Sequence, residues 1–196
     1  MPKSLMLAMV LCTGLVVAGA AQSSSSDQSG AGMTAGNMSK SAVSAADKKF
    51  VENAAQGGMA EVELGQLAAE KASSDDVKKF GQRMVDDHSK ANDQLKQLAS
   101  SKGIDVPSEL NAKDKATKER LSKLSGEQFD RAYMQDMVKD HTKDVSEFQH
   151  ESKSGKDPEI KNFASQTLPT LQEHLTQAKT VASKNQSKSP STQAQK

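Results

Sequence analysis

The stretch "SDDVKKFGQRMVDDHSKANDQLKQLASSKG", Ser74 to Gly103, decides the fold class. One row at threes and fours reads Val77, Gly81, Met84, His88, Ala91, Leu95, Leu98, the buried face of an α-helix rather than the alternation of a strand. Ser74 and Asp75 supply its start signal and Gly103 its stop. His88 is the only polar member of that row. The chain then repeats itself: "MVDDHSK" at 84–90 is echoed by "MVKDHTK" at 137–143, again with a histidine where a helix should be apolar.

Outward from this helix the same periodicity continues, and no stretch alternates strictly, so the class is all-α. Asp47 caps a first helix that runs to about Ala72. "GIDVPSEL" is a proline-containing connector, followed by a short helix from about Ala112 to Leu124. Ser125 starts a third long helix to about Ser154, "GKDP" breaks the chain, and Pro158 stands in the first turn of a fourth, to about Ala182. The first connection and the last are very short, so each joins an antiparallel hairpin. The middle one is long and carries its own helix. That order predicts a ferritin-like four-helix bundle with a long middle crossover carrying a short extra helix; an up-down bundle with an added helix is the alternative. "DVKKF" opening the second helix and "EIKNF" opening the fourth hint at two related hairpins.

The third long helix gives the row Met134, Met137, His141, Val145, Phe148, and the fourth gives Ile160, Ala164, Thr167, Leu171, His174, Ala178, Val181. Each holds one histidine among apolar neighbours. His150 shares its face with Lys143, Ser146 and Glu147 and should meet solvent. In the first helix one row reads Ala54, Gly58, Glu61, Gly65, Ala68, so small residues would let a neighbour close over a single carboxylate. At a rise of about 1.5 Å per residue, Glu61 and His88 lie roughly 18 and 22 Å from the first hairpin turn, and His141 and His174 roughly 20 and 25 Å from the second. The four residues can share one layer. Asp87 and Asp140 precede the repeated histidines on the flanks of their helices, placed to bind a metal or to accept an imidazole proton from a neighbouring helix.

Imidazole with carboxylate suits iron, copper, zinc or manganese and disfavours calcium or magnesium. Met84 and Met137 each lie one turn before a histidine; a thioether there would suit cuprous copper, although methionine commonly fills core gaps. The other readings of the layer are a buried polar set that fixes helix register and a pH-sensitive layer that loosens on protonation. Pro169 is expected to kink the fourth helix near His174.

Residues 5–20, "LMLAMVLCTGLVVAGA", follow Lys3 and close on Ala18-Gly19-Ala20, the pattern of an export signal cut after about Ala20. A retained anchor and a lipid on Cys12 are the alternatives. Cleavage would remove the only cysteine and bring 26 basic residues to 25, against 25 acidic ones. Disulfide and thiolate chemistry are then excluded, and nothing recommends a nucleic-acid partner: the charge is balanced, aromatics are 3%, and there is no Trp. Residues 21–46 are a Ser/Gly/Ala-rich linker, 47–183 one helical domain, and 184–196 a polar tail. No nucleophile elbow or phosphate-cradling loop is present.

Four segments, "AAQGGMAEVELGQLA", "FGQRMVDDHSKAN", "FDRAYMQDMVKDH" and "TLPTLQEHL", resemble a bacterial family known as domain of unknown function number forty-one forty-two, over about Asp47 to Val181. The resemblance implies a ferritin-like fold and an exported or envelope-associated protein, in the periplasm, the outer membrane or secreted, and brings no established activity. Carboxylate-bridged di-iron relatives of that fold carry a glutamate three residues before a histidine on the second and fourth long helices. Here those positions are Val85 and Leu171. The sequence therefore predicts an exported envelope protein with a candidate metal site of Glu61, His88, His141 and His174 with Asp87 or Asp140. The alternative is a non-catalytic structural or stress-protective module.

Overall fold

The computed structural model describes residues 42–187. The expected leader, nearly all of the linker and the last residues of the tail lie outside the described residues. Within them stand α1 (Ala45–Lys71), α2 (Asp75–Lys102), α3 (Ala112–Ser122), α4 (Gly126–Ser154) and α5 (Pro158–Ser187). No strand occurs among the described residues. None of these helices is long and apolar enough to cross a membrane.

Local chemistry sets the helix ends. Ser44, not Asp47, caps α1: its Oγ accepts the Asp47 N–H, which puts Asp47 inside the first turn. The α2 helix stops at Gly103, whose φ of 66° is left-handed and suits a residue without Cβ. Asn111 caps α3 by accepting the Asp114 N–H. The last helix is continuous through Pro169 and passes the expected end near Ala182, with Asn185 still buried.

Three contacts at the ends of the bundle decide its topology. Asp130, early in α4, accepts from Ser73 N at 3.0 Å, Ser74 N at 2.9 Å and Ser73 Oγ at 2.6 Å, so α4 begins where α1 ends. Lys102 Nζ lies 2.8 Å from Asp157, so α5 begins where α2 ends. Asp47 accepts from Lys156 N and Asp157 N at 3.1 and 2.8 Å, which closes the other end. The connector between α2 and α4 must therefore run the length of the bundle. In an up-down bundle α4 would instead begin where α2 ends. The fold is ferritin-like, with α1 beside α2 and α4, and α5 beside both of these partners. Its crossover is held to the α1/α4 side by Lys118 to Glu63 at 2.7 Å, Gln56 to the Glu109 carbonyl at 3.0 Å, and Arg120 to Asp136.

The two hairpins are related. Asp47 holds the turn at 156 and 157 as Asp130 holds the turn at 73 and 74, and every pair of positions has the same offset. That offset also superposes "DVKKF" on "EIKNF". An approximate two-fold axis between the hairpins accounts for both.

The core falls into two apolar clusters, one around Phe80, Tyr133 and Met137 and the other around Phe50, Leu95 and Phe163. On all four long helices the polar residue separates them: Glu61, His88, His141 and His174 each stand between members of one cluster and members of the other. Near this level α1 and α2 pack closely. A Cβ on Gly65 would lie 2.6 Å from the Gly81 carbonyl, and one on Gly81 would lie 2.7 Å from Ala68 Cβ. Backbone cannot move aside as a flexible side chain can, so Gly65→Ala and Gly81→Ala should each lower unfolding free energy by about 1–3 kcal/mol despite the better helix propensity of Ala. Urea midpoints compared with the parent check this.

Candidate metal centre between the helices

Each histidine reaches the layer because a single polar residue in an apolar row is carried inward with the row. His141 and His174 are fully buried, His88 is 6% exposed and Glu61 3%. The three rings form a near-equilateral triangle with centroid separations of 5.3, 5.3 and 5.7 Å. One nitrogen from each lies within 4.8 Å of the others. Glu61 covers the α1 side, with Oε2 2.6 Å from His88 Nε2 and Oε1 3.1 Å from His141 Nδ1. The structure thus brings together Glu61 and the three histidines. Asp87 sits at their edge, 2.8 Å from His174 Nε2, and is held there by Arg83 Nε at 3.1 Å. Arg83 also donates to Gln177 and Glu173, fastening α2 to α5. Asp140 is half-buried in the wall of a cavity that Glu61 also lines. His150, Asp86 and Lys139 are exposed, and Met84 and Met137 pack in an apolar cluster.

The hydrogen bonds fix the tautomers and expose a conflict. His174 donates through Nε2 to the Asp87 carboxylate, which leaves its Nδ1 as a lone pair. His141 donates through Nδ1 to the Met137 carbonyl at 3.0 Å, which leaves its Nε2 as a lone pair. Those two nitrogens face each other at 3.3 Å. Two lone pairs repel at that range unless a proton or a metal cation lies between them. Neither Glu61 oxygen nor His88 Nε2 has a well-directed hydrogen bond, although all three atoms are buried. Such orphans are costly and call for a partner.

The electrostatics set the Glu61 carboxylate against the three imidazoles. Burial opposes the charge on Glu61, but His141, His88 and His174 outweigh it and hold its pKa down to about 2. Burial also works against a charged His88, and Glu61 overcomes it, raising that pKa. His174 is pushed down to about 4 by burial and by its two imidazole neighbours, against the pull of Asp87. Asp87 is lowered despite its burial by the bonds from His174 and Arg83.

Sequence reasoning passed over two further groups, the half-buried Asp144 and the buried Tyr133. Asp144 lies one turn after His141, and burial together with Glu61 pushes its carboxyl well above the ordinary value. The signal was the spacing His141 to Asp144, one helical turn on the same side. Tyr133 has a buried hydroxyl with no hydrogen-bond partner, and burial then Glu61 push it well up as well.

In the metal-free protein the shifts of His174, Glu61 and His88 give the layer a contribution to stability that peaks near pH 6.5, and the raised Asp144, which favours the fold most where its carboxyl is protonated, flattens the acid side. Below the peak, the unfolded chain takes up a proton at position 174 that the fold refuses until about pH 4, so stability falls from 6.5 to 4. Glu61 adds a further loss between 4.5 and 2. Above 6.5, the stabilising charge on His88 is lost as pH rises through its elevated value. Urea unfolding from pH 4 to 9 in a chelator should trace this dome.

A sequence model of a domain of unknown function, DUF4142, matches residues 32–181. The chain belongs to the DUF4142 family. Its fold is similar to that of two solved DUF305 structures. One is a fragment from Deinococcus radiodurans, at 16% identity and a TM-score of 0.64, covering 72% of this chain and 98% of that one. The other, from Streptomyces coelicolor, has a name that suggests secretion and matches at 13% identity and a TM-score of 0.62, over 72% of this chain and 92% of that one. At such identities the likeness shows the fold alone. No curated protein matches the chain. Within this DUF4142 domain, Val85 and Leu171 stand where a carboxylate di-iron protein has glutamates, so the donor set is histidine-rich instead.

Proposed function

We propose that this DUF4142 domain is an exported metal-binding protein of the bacterial cell envelope or periplasm, holding one transition-metal ion with His88, His141 and His174 and using Glu61 as the compensating carboxylate. The observation that carries the reading is the pair of lone-pair nitrogens, His141 Nε2 and His174 Nδ1, at 3.3 Å. Two nitrogens at about 2.0–2.1 Å from one four-coordinate ion are separated by roughly that distance. Asp87 and the Met137 carbonyl hold the other nitrogens, the arrangement that orients metal-bound imidazole. Three neutral imidazoles and one carboxylate suit zinc, iron, copper or manganese. The leader-like residues 5–20 support export.

Equilibrium dialysis of the tag-free protein against each of these ions tests the reading. One ion per chain is expected at the histidines, with affinity reduced roughly 10- to 100-fold in Asp87→Asn and more in His141→Ala. A parent that retains none of the four ions leaves a layer that only organises the bundle, the structural or stress-protective module.

A further inference from the structure

The two-fold relation between the hairpins exposes an asymmetry in the layer. The offset that pairs Asp47 with Asp130 also pairs Glu61 with Asp144. It pairs the histidines with residues that cannot bind metal: His141 with Gly58, His174 with Ala91, and His88 with Leu171. These partners do gather in space. Gly58, Ala91, Leu171 and Asp144 line one small cavity of about 20 Å³, together with Glu61 and His88. That volume is enough for one water-sized species. The fold therefore builds its central position twice, once with three imidazoles and once with a carboxylate alone.

Asp144 and Glu61 also line a larger cavity of about 240 Å³ between α1, α3 and α4, with Asp140 in its wall. Its remaining acids are engaged: Asp136 pairs with Arg120, and Asp114 accepts from Asn111. Lys143 approaches Asp144 only at 3.9 Å and is shared with Glu147 at 3.2 Å. Glu61, nearly fully buried, also lines this cavity; its oxygens lie 2.6 and 3.1 Å from His88 Nε2 and His141 Nδ1, and neither contact is a well-directed hydrogen bond.

We infer that a second cation binds between Glu61 and Asp144, with Asp140 at the mouth, so that Glu61 is shared between a histidine position and an oxygen-donor position. The ligand class is a hard divalent cation such as manganese(II) or magnesium, because the donors are carboxylates. Burial and the repulsion of Glu61 already raise Asp140 and Asp144, and a divalent ion would relieve that repulsion. The inference rests on the histidine reading only through the shared Glu61.

The test uses the protein first loaded with zinc and then titrated with manganese(II), the free ion being followed by its electron paramagnetic resonance signal and zinc by elemental analysis of the same sample. One manganese per zinc-loaded chain is expected. Asp144→Asn should weaken manganese binding about tenfold or more while zinc is retained, and Asp140→Asn should weaken it less. Circular dichroism confirms that both isosteric variants fold. Zinc-loaded parent that takes up no manganese, or Asp144→Asn that binds it as the parent does, overturns the second position and leaves the histidine site intact. Manganese binding that depends on Asp144 in a parent that takes up no zinc overturns the histidine site and keeps the carboxylate one.

Discussion

Zinc supplied at about a thousand times its dissociation constant should raise the unfolding free energy of the domain by about 4 kcal/mol, because an ion that binds only the native state adds its binding free energy to folding. The layer exists only when four helices converge: Glu61 comes from α1, His88 from α2, His141 from α4 and His174 from α5. An unfolded chain cannot present three imidazoles within 4.8 Å of one another. The gain should vanish in His141→Ala, which removes the ring facing both His174 and Glu61. Chemical denaturation with and without zinc, for parent and variant, reads the effect. A parent whose stability is indifferent to zinc, iron, copper and manganese alike would show that no ion is linked to folding.

The second large effect belongs to Glu61 itself. In the metal-free protein Glu61→Ala should cost about 3–5 kcal/mol, since it strips the counter-charge from the buried His88. Replacing Glu61, His88, His141 and His174 together by apolar residues of similar volume should be neutral or stabilising, because it removes the buried Glu61–His88 pair and the three unsatisfied atoms of Glu61 and His88 together. The contrast separates two purposes. A layer kept for stability would lose from the fourfold replacement, whereas a layer kept for a ligand would gain stability and lose its ion. Urea titration of the two variants in chelator measures both.

The fold was legible because its signals are local. Helix rows, the stops at Gly103 and "GKDP", and the length of the middle connector each fix one feature, and together they leave the crossover topology as the better reading. The layer was legible for a related reason: each of Glu61, His88, His141 and His174 is a lone polar residue in an apolar or small-residue row. What stayed hidden depends on contacts between distant segments. Asp130 sits between Phe129 and Arg131 like any surface acid, yet it holds the turn at Ser73 and Ser74. Asp47 reads as a cap because it precedes a helical run, but Ser44 already fills that place and frees Asp47 for the turn at Lys156. Asp144 lies in a charged string, "KDVSE", and only the approach of α1 sets it in the same cavity wall as Glu61. The repeated "MVxDHxK" is also not the repeat that the fold uses. It relates α2 to α4, whereas the two-fold axis relates α1 to α4 and α2 to α5.

The most direct test of the central claim is the zinc K-edge X-ray absorption spectrum of the domain loaded with one equivalent of zinc. Three imidazole nitrogens at about 2.0–2.1 Å, with their outer-ring scattering and one further oxygen donor, are the predicted shell. An all-oxygen shell, or one with a single imidazole, would place the ion on the surface and contradict a metal held at His88, His141 and His174.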